Sequence, residues 1–145
     1  MSLFSAILLA SFAPQTSQQE AEYYSVDYLI PPDGARVEVG GMGFLPDGRL
    51  AVSTRRGQVW LVENPLAKDP KDAKFSLFAE GLWEGLGMAI VDGEIVVMQR
   101  QELSVLRDED KDGVCDRIET LCDAWGVSDN YHEFGYGLPV DAQGN

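Results

Sequence analysis

Three segments of this chain begin alike, and their spacing limits the folds open to it. They start at residues 41, 87 and 135 and read GMGFLPDG, GMAIVDG and GYGLPVD. Their first glycines are 46 and 48 residues apart. A repeat of this length with several strands in each unit is typical of a β-propeller, in which each copy supplies one blade.

The likeness continues beyond these openings. Asp47-Gly48 and Asp92-Gly93 are tight-turn dipeptides between short apolar runs, a strong hairpin signal. Residues 75–79 supply a fourth, outer strand, and no segment has a sustained helical period. The sequence therefore predicts an all-β chain. The parallel stretches are 49–55 with 94–100 and 58–62 with 102–106.

The predicted fold is an incomplete β-propeller with two four-stranded blades and the start of a third. After a leading segment at 20–40, blade one spans about 41–80, blade two about 86–123, and the third copy begins at 135–145. A propeller closes with about 4–8 blades. Two blades would leave apolar faces and sheet edges in water. We therefore expect a truncated N-terminal piece that does not fold stably alone.

An acidic stretch in the second repeat has the spacing of a calcium-binding loop. Residues 108–119, DEDKDGVCDRIE, match D-x-[DN]-x-[DN]-G-x5-E at every constrained position. Calcium takes about six to eight hard oxygen ligands, and Gly113 allows the sharp turn that presents them. The predicted Ca²⁺ ligands are five carboxylates and one backbone carbonyl, from Asp108, Asp110, Asp112, Asp116, Glu119 and Val114.

A solvated acidic turn is the alternative for this loop. Six carboxylates stand against Lys111 and Arg117 within twelve residues, and they would repel one another without a cation. Residues 103–106 before the loop have the pattern of a strand, which places the loop between the third and fourth strands of blade two. Cys115 is either a buried thiol or the disulfide partner of Cys122, and the spacing leaves both open.

The beginning of the chain predicts export. Residues 1–19 carry no charge, and 3–13 (LFSAILLASFA) form a short apolar run. Eleven residues are about half of the ~20 that a membrane-spanning helix needs, and the length suits a signal peptide. A buried N-terminal helix is the alternative. A periplasmic or extracellular protein would meet millimolar calcium and could form disulfides.

The overall charge excludes several partners. With 11 basic and 24 acidic residues the net charge is −13, which argues against nucleic acid and anionic lipid surfaces. The chain has a single histidine, His132, within NYHEFG at 130–135. The segment that leads into a blade's innermost strand lies at the mouth of the central channel. His132 beside Glu133 can act as a general base near neutral pH. A solvated histidine without a chemical role is the alternative.

The two full repeats, the acidic loop and the NYHEF segment together resemble exported bacterial propellers of the glucose/sorbosone dehydrogenase-like family, over about residues 23–145. These are relatives of the soluble quinoprotein dehydrogenases. The resemblance implies oxidation of a sugar or polyol, with Ca²⁺ and pyrroloquinoline quinone as cofactors and His132 as the base. It also implies further blades or a cytochrome c domain in the parent protein.

The chain departs from that family at two places. Tyr131 stands where the family has an acidic residue before the histidine, and residues 82–87 lack the glutamine expected near the start of blade two. The resemblance places the residues that hold the quinone largely in blades that this chain lacks, so none is assigned here and the chain by itself is expected to be inactive. The competing hypothesis is a non-catalytic propeller that binds carbohydrate or protein at its channel mouth.

Overall fold

A computed structural model describes residues 22–141, and the predicted signal peptide at 1–19 lies outside them. Eight strands form two four-stranded antiparallel sheets, each in simple sequential order. The all-β prediction is therefore confirmed. The first sheet contains β1 (Val39–Phe44), β2 (Leu50–Thr54), β3 (Val59–Glu63) and β4 (Lys74–Ala79), and the second contains β5 (Gly87–Val91), β6 (Glu94–Met98), β7 (Leu103–Arg107) and β8 (Arg117–Cys122).

A short 3₁₀-helix, Pro70–Asp72, is the sole helical element of residues 22–141. It lies in the connection between β3 and β4. Among those residues, no helix reaches the length and apolarity that crossing a membrane requires.

The predicted turns connect these strands. Asp92 and Gly93 join β5 to β6 with φ angles of 51° and 84°. A two-residue hairpin of this kind needs positive φ at both central positions, which glycine and aspartate tolerate best. The β1–β2 loop is longer, and the Asp47 carboxylate accepts from the backbone N–H of Arg49 at 3.0 Å. Local turn chemistry therefore sets both hairpins.

The two sheets pack face to face, with β1 lying against β5. A Cβ atom on Gly41 would lie 2.8 Å from the Cβ of Met88, and one on Gly43 would lie 2.9 Å from Cγ1 of Ile90. Glycine is therefore required at these positions for the first strands of the two sheets to approach so closely. The buried core between the sheets consists of Leu45, Ala51, Val59, Leu61, Phe78, Ala79, Leu82, Met88, Ile95, Val97 and Leu106.

The opening of the third repeat makes a similar contact with the second sheet. A Cβ atom on Gly87 in β5 would lie 2.7 Å from the carbonyl oxygen of Gly137. The third copy therefore packs on β5 through glycine, as β5 packs on β1. Residues 135–141 form no strand, however, and Leu138 has a φ of 94°. The start of blade three therefore contains no strand within its described residues, 135–141.

Candidate functional site

The acidic loop joins β7 to β8 in the second sheet, where the sequence analysis places it. Carboxylate oxygens of Asp108, Asp110 and Asp116 all lie within 4.8 Å of one another. Two of these side chains are exposed, and Asp108 is half-buried. The fold thus gathers three hard, anionic oxygen donors at one point, the donor chemistry that Ca²⁺ prefers.

Hydrogen bonds to aspartate side chains shape the loop. The backbone N–H of Gly113 donates to Asp108 Oδ2 at 3.0 Å, and the N–H of Val114 donates to Asp112 Oδ1 at 2.8 Å. The N–H of Glu109 donates to Asp116 Oδ2 at 2.7 Å. The carboxylates that are predicted to bind Ca²⁺ therefore also stabilise the turns of the loop by accepting backbone hydrogen bonds.

Glu119 lies apart from the three gathered carboxylates. It stands on β8, and its Oε2 accepts from Arg117 Nη1 at 2.8 Å and from Arg107 Nε at 3.3 Å. The hydrogen bond from Arg117, followed by that from Arg107, lowers the pKa of Glu119 below its usual value. Neither Glu119 nor Asp112, which is occupied with the Val114 N–H, belongs to the gathered group. The sequence pattern cannot show this competition, because it does not reveal that Arg117 on the same strand and Arg107 on the neighbouring strand β7 both direct their guanidinium groups to Glu119.

Cys115 connects the loop to the first sheet. Its backbone N–H donates to the carbonyl oxygen of Phe78 in β4 at 2.8 Å, and its side chain packs against the core. Partial burial raises the pKa of the Cys115 thiol. Cys122 lies at the far end of β8, and an extended strand rises about 3.3 Å per residue. The two cysteines are therefore much farther apart than the ~7 Å limit for a disulfide, and both are free thiols.

The His132 segment lies near the ends of β2 and β6. The backbone N–H of His132 donates to Asn130 Oδ1 at 3.0 Å, and its ring meets the Tyr131 ring edge-on at 5.5 Å between centroids. The imidazole is exposed and makes no hydrogen bond within the described part of the chain. It is therefore accessible to a ligand, and no described residue forms a hydrogen bond with the ring.

Glu133 does not pair with His132, although the sequence places them side by side. Its Oε2 accepts from the Ser128 hydroxyl at 2.6 Å and from the Ser128 backbone N–H at 3.1 Å. These bonds, the hydroxyl first, lower the pKa of Glu133. The structure thus assigns Glu133 to the shape of its own loop, and a His132–Glu133 dyad is not formed.

Sequence reasoning missed a charged cluster beside His132. Glu84 lies between two arginines, with 3.8 Å from its Oε1 to Arg55 Nε and 3.5 Å from its Oε2 to Arg100 Nη1. The side chains of Glu84 and Arg100 are only 16% and 10% exposed. One signal was present in the sequence, because Arg55 and Arg100 occupy the same place in the parallel stretches 49–55 and 94–100.

A family model described as "Domain of unknown function (DUF7133)" matches residues 42–138, which is more than half of the 145 residues. The chain belongs to the DUF7133 family. No curated protein and no solved structure matches it. The DUF7133 match includes the acidic loop, the charged cluster around Glu84 and the His132 segment.

Proposed function

We propose that this DUF7133 domain supplies adjacent blades of a calcium-binding β-propeller in an exported protein. The observation that carries the proposal is the repeated glycine contact, in which Gly41 meets β5 and Gly87 meets the third repeat. In a propeller, the innermost strands of successive blades follow one another in this way. The outward side of β1 supports it, since Met42 and Phe44 are 60% and 52% exposed there. A further blade would cover them.

The calcium ion has a structural role in this proposal. Asp108, Asp110 and Asp116 would provide the first ligands. Glu119 would have to exchange its bonds with Arg107 and Arg117 for the ion. The loop is anchored to β4 through Cys115 and Phe78. An ion in the loop would therefore stabilise the contact between the two sheets as well as the loop itself.

Calcium binding by the whole chain tests this proposal. We expect isothermal titration to show one Ca²⁺ site and the melting temperature to rise with calcium concentration, because the ion binds the folded state. Asp110→Asn removes one gathered carboxylate and should weaken the affinity at least about tenfold, equivalent to ~1.4 kcal/mol. In metal-free buffer the same variant should be as stable as the wild type or more so, because a like-charge repulsion is removed.

Glu80→Gln is the matched control for the calcium experiment. Glu80 is exposed and lies between β4 and β5, outside the acidic loop, so its substitution removes one negative charge elsewhere. If both variants weakened calcium binding equally, the loss would come from the general negative charge of the protein and not from a ligand in the loop. Absence of binding heat and of a melting shift in the wild type would contradict the proposal.

For the complete propeller we propose oxidation of a sugar or polyol. The proposal rests on the resemblance described above and on the exposed position of His132, which would take the proton from a substrate hydroxyl. Pyrroloquinoline quinone, as the acceptor, would supply the redox chemistry. The described residues do not define a set that would hold it, so no quinone ligand is assigned.

One observation favours the alternative of a non-catalytic channel-mouth site for carbohydrate or protein. A histidine base is oriented in enzymes by a carboxylate or another acceptor. Here Glu133 is bonded to Ser128, and Tyr131 precedes the histidine. A binding loop does not need the orienting acceptor.

Dye reduction by the complete propeller with added quinone, Ca²⁺ and a panel of aldoses and polyols separates these functions. We expect His132→Ala to lower the rate about 100-fold, the lower range for loss of a general base. Glu133→Gln should change it little, because a glutamine can still accept from Ser128. Equal rates in the wild type and His132→Ala would remove His132 from the reaction. Absence of reduction, with carbohydrate binding retained, would favour the binding module.

A further inference from the structure

Two arginines occupy equivalent positions in the two sheets, each near the end of the sheet's second strand. Arg55 directly follows β2, and Arg100 lies two residues beyond β6. The backbone N–H of Arg55 donates to the Glu38 carbonyl at 2.9 Å, and that of Arg100 donates to the Trp83 carbonyl at 3.1 Å. Each bond ties the arginine to the chain just before the first strand of its own sheet. Two successive repeats therefore present an arginine at the same edge.

Both arginines reach the segment that carries His132. The Nη2 atom of Arg100 donates to the backbone carbonyls of Ser128, at 3.5 Å, and of Asn130. The Nη2 atom of Arg55 donates to the hydroxyl of Tyr131. One arginine therefore binds the backbone on the N-terminal side of His132, and the other binds the adjacent side chain.

The same two guanidinium groups converge on one aromatic ring. The Cζ atoms of Arg55 and Arg100 lie 5.8 Å and 5.9 Å from the centroid of the Phe134 ring. Contacts of this length between a guanidinium and an aromatic ring are attractive. The segment is thus contacted by the arginines on both sides of His132.

Glu84 allows the two cations to stand together. Its carboxylate lies between them, and Arg100 is nearly excluded from water. A rigid, planar guanidinium held by a carboxylate retains a defined direction. The carboxylate therefore offsets the repulsion between the two cations and orients Arg100, which donates to it at 3.5 Å, and both arginines hold the 128–134 segment.

We propose that Arg55 and Arg100 are positioning residues that hold His132 at the channel mouth. The inference rests on the proposed function only for what His132 does there, since the contacts themselves do not depend on catalysis. The two arginines come from different repeats, so the place of His132 depends on the correct packing of one sheet on the other. If the two sheets packed on each other differently, the position of His132 would change although the residue itself is the same.

The imidazole signal of His132 tests this inference in the whole chain. There is only one histidine, so its Cε1–H resonance is assigned without further variants. In Arg100→Ala we expect that resonance to move and broaden, and hydrogen exchange at the amides of residues 130–134 to speed up about tenfold or more. Arg100→Lys keeps the positive charge near Glu84 but lacks the planar guanidinium group with its several N–H donors. We expect its urea unfolding midpoint to be close to that of the wild type, and its His132 Cε1–H resonance to remain shifted as in Arg100→Ala.

Arg56→Ala is the matched control, because Arg56 is adjacent to Arg55 and its charged contact is with Glu38 at 3.0 Å. It should leave the His132 signal unchanged. Tyr131→Phe keeps the ring beside His132 and removes the hydroxyl bonded to Arg55, so it decides the question if Arg100→Ala does not fold. An unchanged signal and exchange rate in folded Arg100→Ala, or in Tyr131→Phe if the alanine variant is unfolded, would overturn the inference. A calcium-binding result of either sign would not affect this outcome.

Discussion

Gly57→Ala should lower the free energy of unfolding by more than about 3 kcal/mol, one of the larger effects of a single substitution. Gly57 lies in the β2–β3 turn with a φ of 79°, where an alanine costs about 1 kcal/mol or more. Its added methyl would also collide with the carbonyl oxygen of Leu82. The backbone cannot easily retreat, because the Leu82 N–H donates to the Gly57 carbonyl at 3.0 Å. Urea unfolding followed by tryptophan fluorescence measures the loss.

Gly48→Ala is the matched control for this prediction. Gly48 also has a positive φ, 89°, but a Cβ there would meet nothing within 4 Å. Its substitution should therefore cost only the conformational part, about 1 kcal/mol. If both variants lost the same free energy of unfolding, the added methyl at Gly57 would not collide with Leu82. The β2–β3 turn would then lie farther from Leu82 than the structure shows.

Glu84→Gln should destabilise the domain by about 3 kcal/mol, the lower end of the cost of removing one partner from a buried ion pair. The variant has nearly the same size but leaves Arg100, a nearly buried cation, without its anionic partner. The direction of the change in unfolding free energy is informative. The chain has a net charge of −13, so the loss of a negative charge would by itself reduce repulsion and stabilise the fold. Urea unfolding at low and high salt measures the change.

Glu38→Gln provides the comparison for Glu84. Glu38 contacts Arg55 and Arg56, but its side chain is 41% exposed, and surface pairs of this kind contribute about 0–1 kcal/mol. We therefore expect a small effect that added salt weakens further. A Glu84→Gln variant as stable as Glu38→Gln would mean that water reaches the cluster and that Arg100 is not desolvated.

Much of the architecture was predictable because it depends on local chemistry. The Asp92-Gly93 dipeptide has the backbone conformation of a two-residue hairpin turn. Strands form at the short apolar runs, as predicted. The position of the acidic loop between β7 and β8 also followed from the strand pattern before it. These features depend on residues close together in the chain, so a single sequence contains the required information.

The candidate sites were less predictable because they depend on which side chains pair once the strands and loops have formed. Glu119 fits the calcium pattern, but in the fold Arg107 and Arg117 bind its carboxylate. Glu133 neighbours His132 in the chain but is bonded to Ser128. Calcium binding itself and the role of His132 stay predictions.

Backbone preferences and side-chain alternation act over a few residues, so the repeat, the all-β class, the main turns and the place of the acidic loop are all predictable from the sequence alone. The close approach of β1 to β5 through glycines and the separation of Cys115 from Cys122 are seen only in the folded chain. The cluster of Arg55, Glu84 and Arg100 also forms only in the folded chain. Packing and charge pairing act through space, and residues distant in the chain meet only after the two sheets have folded against each other.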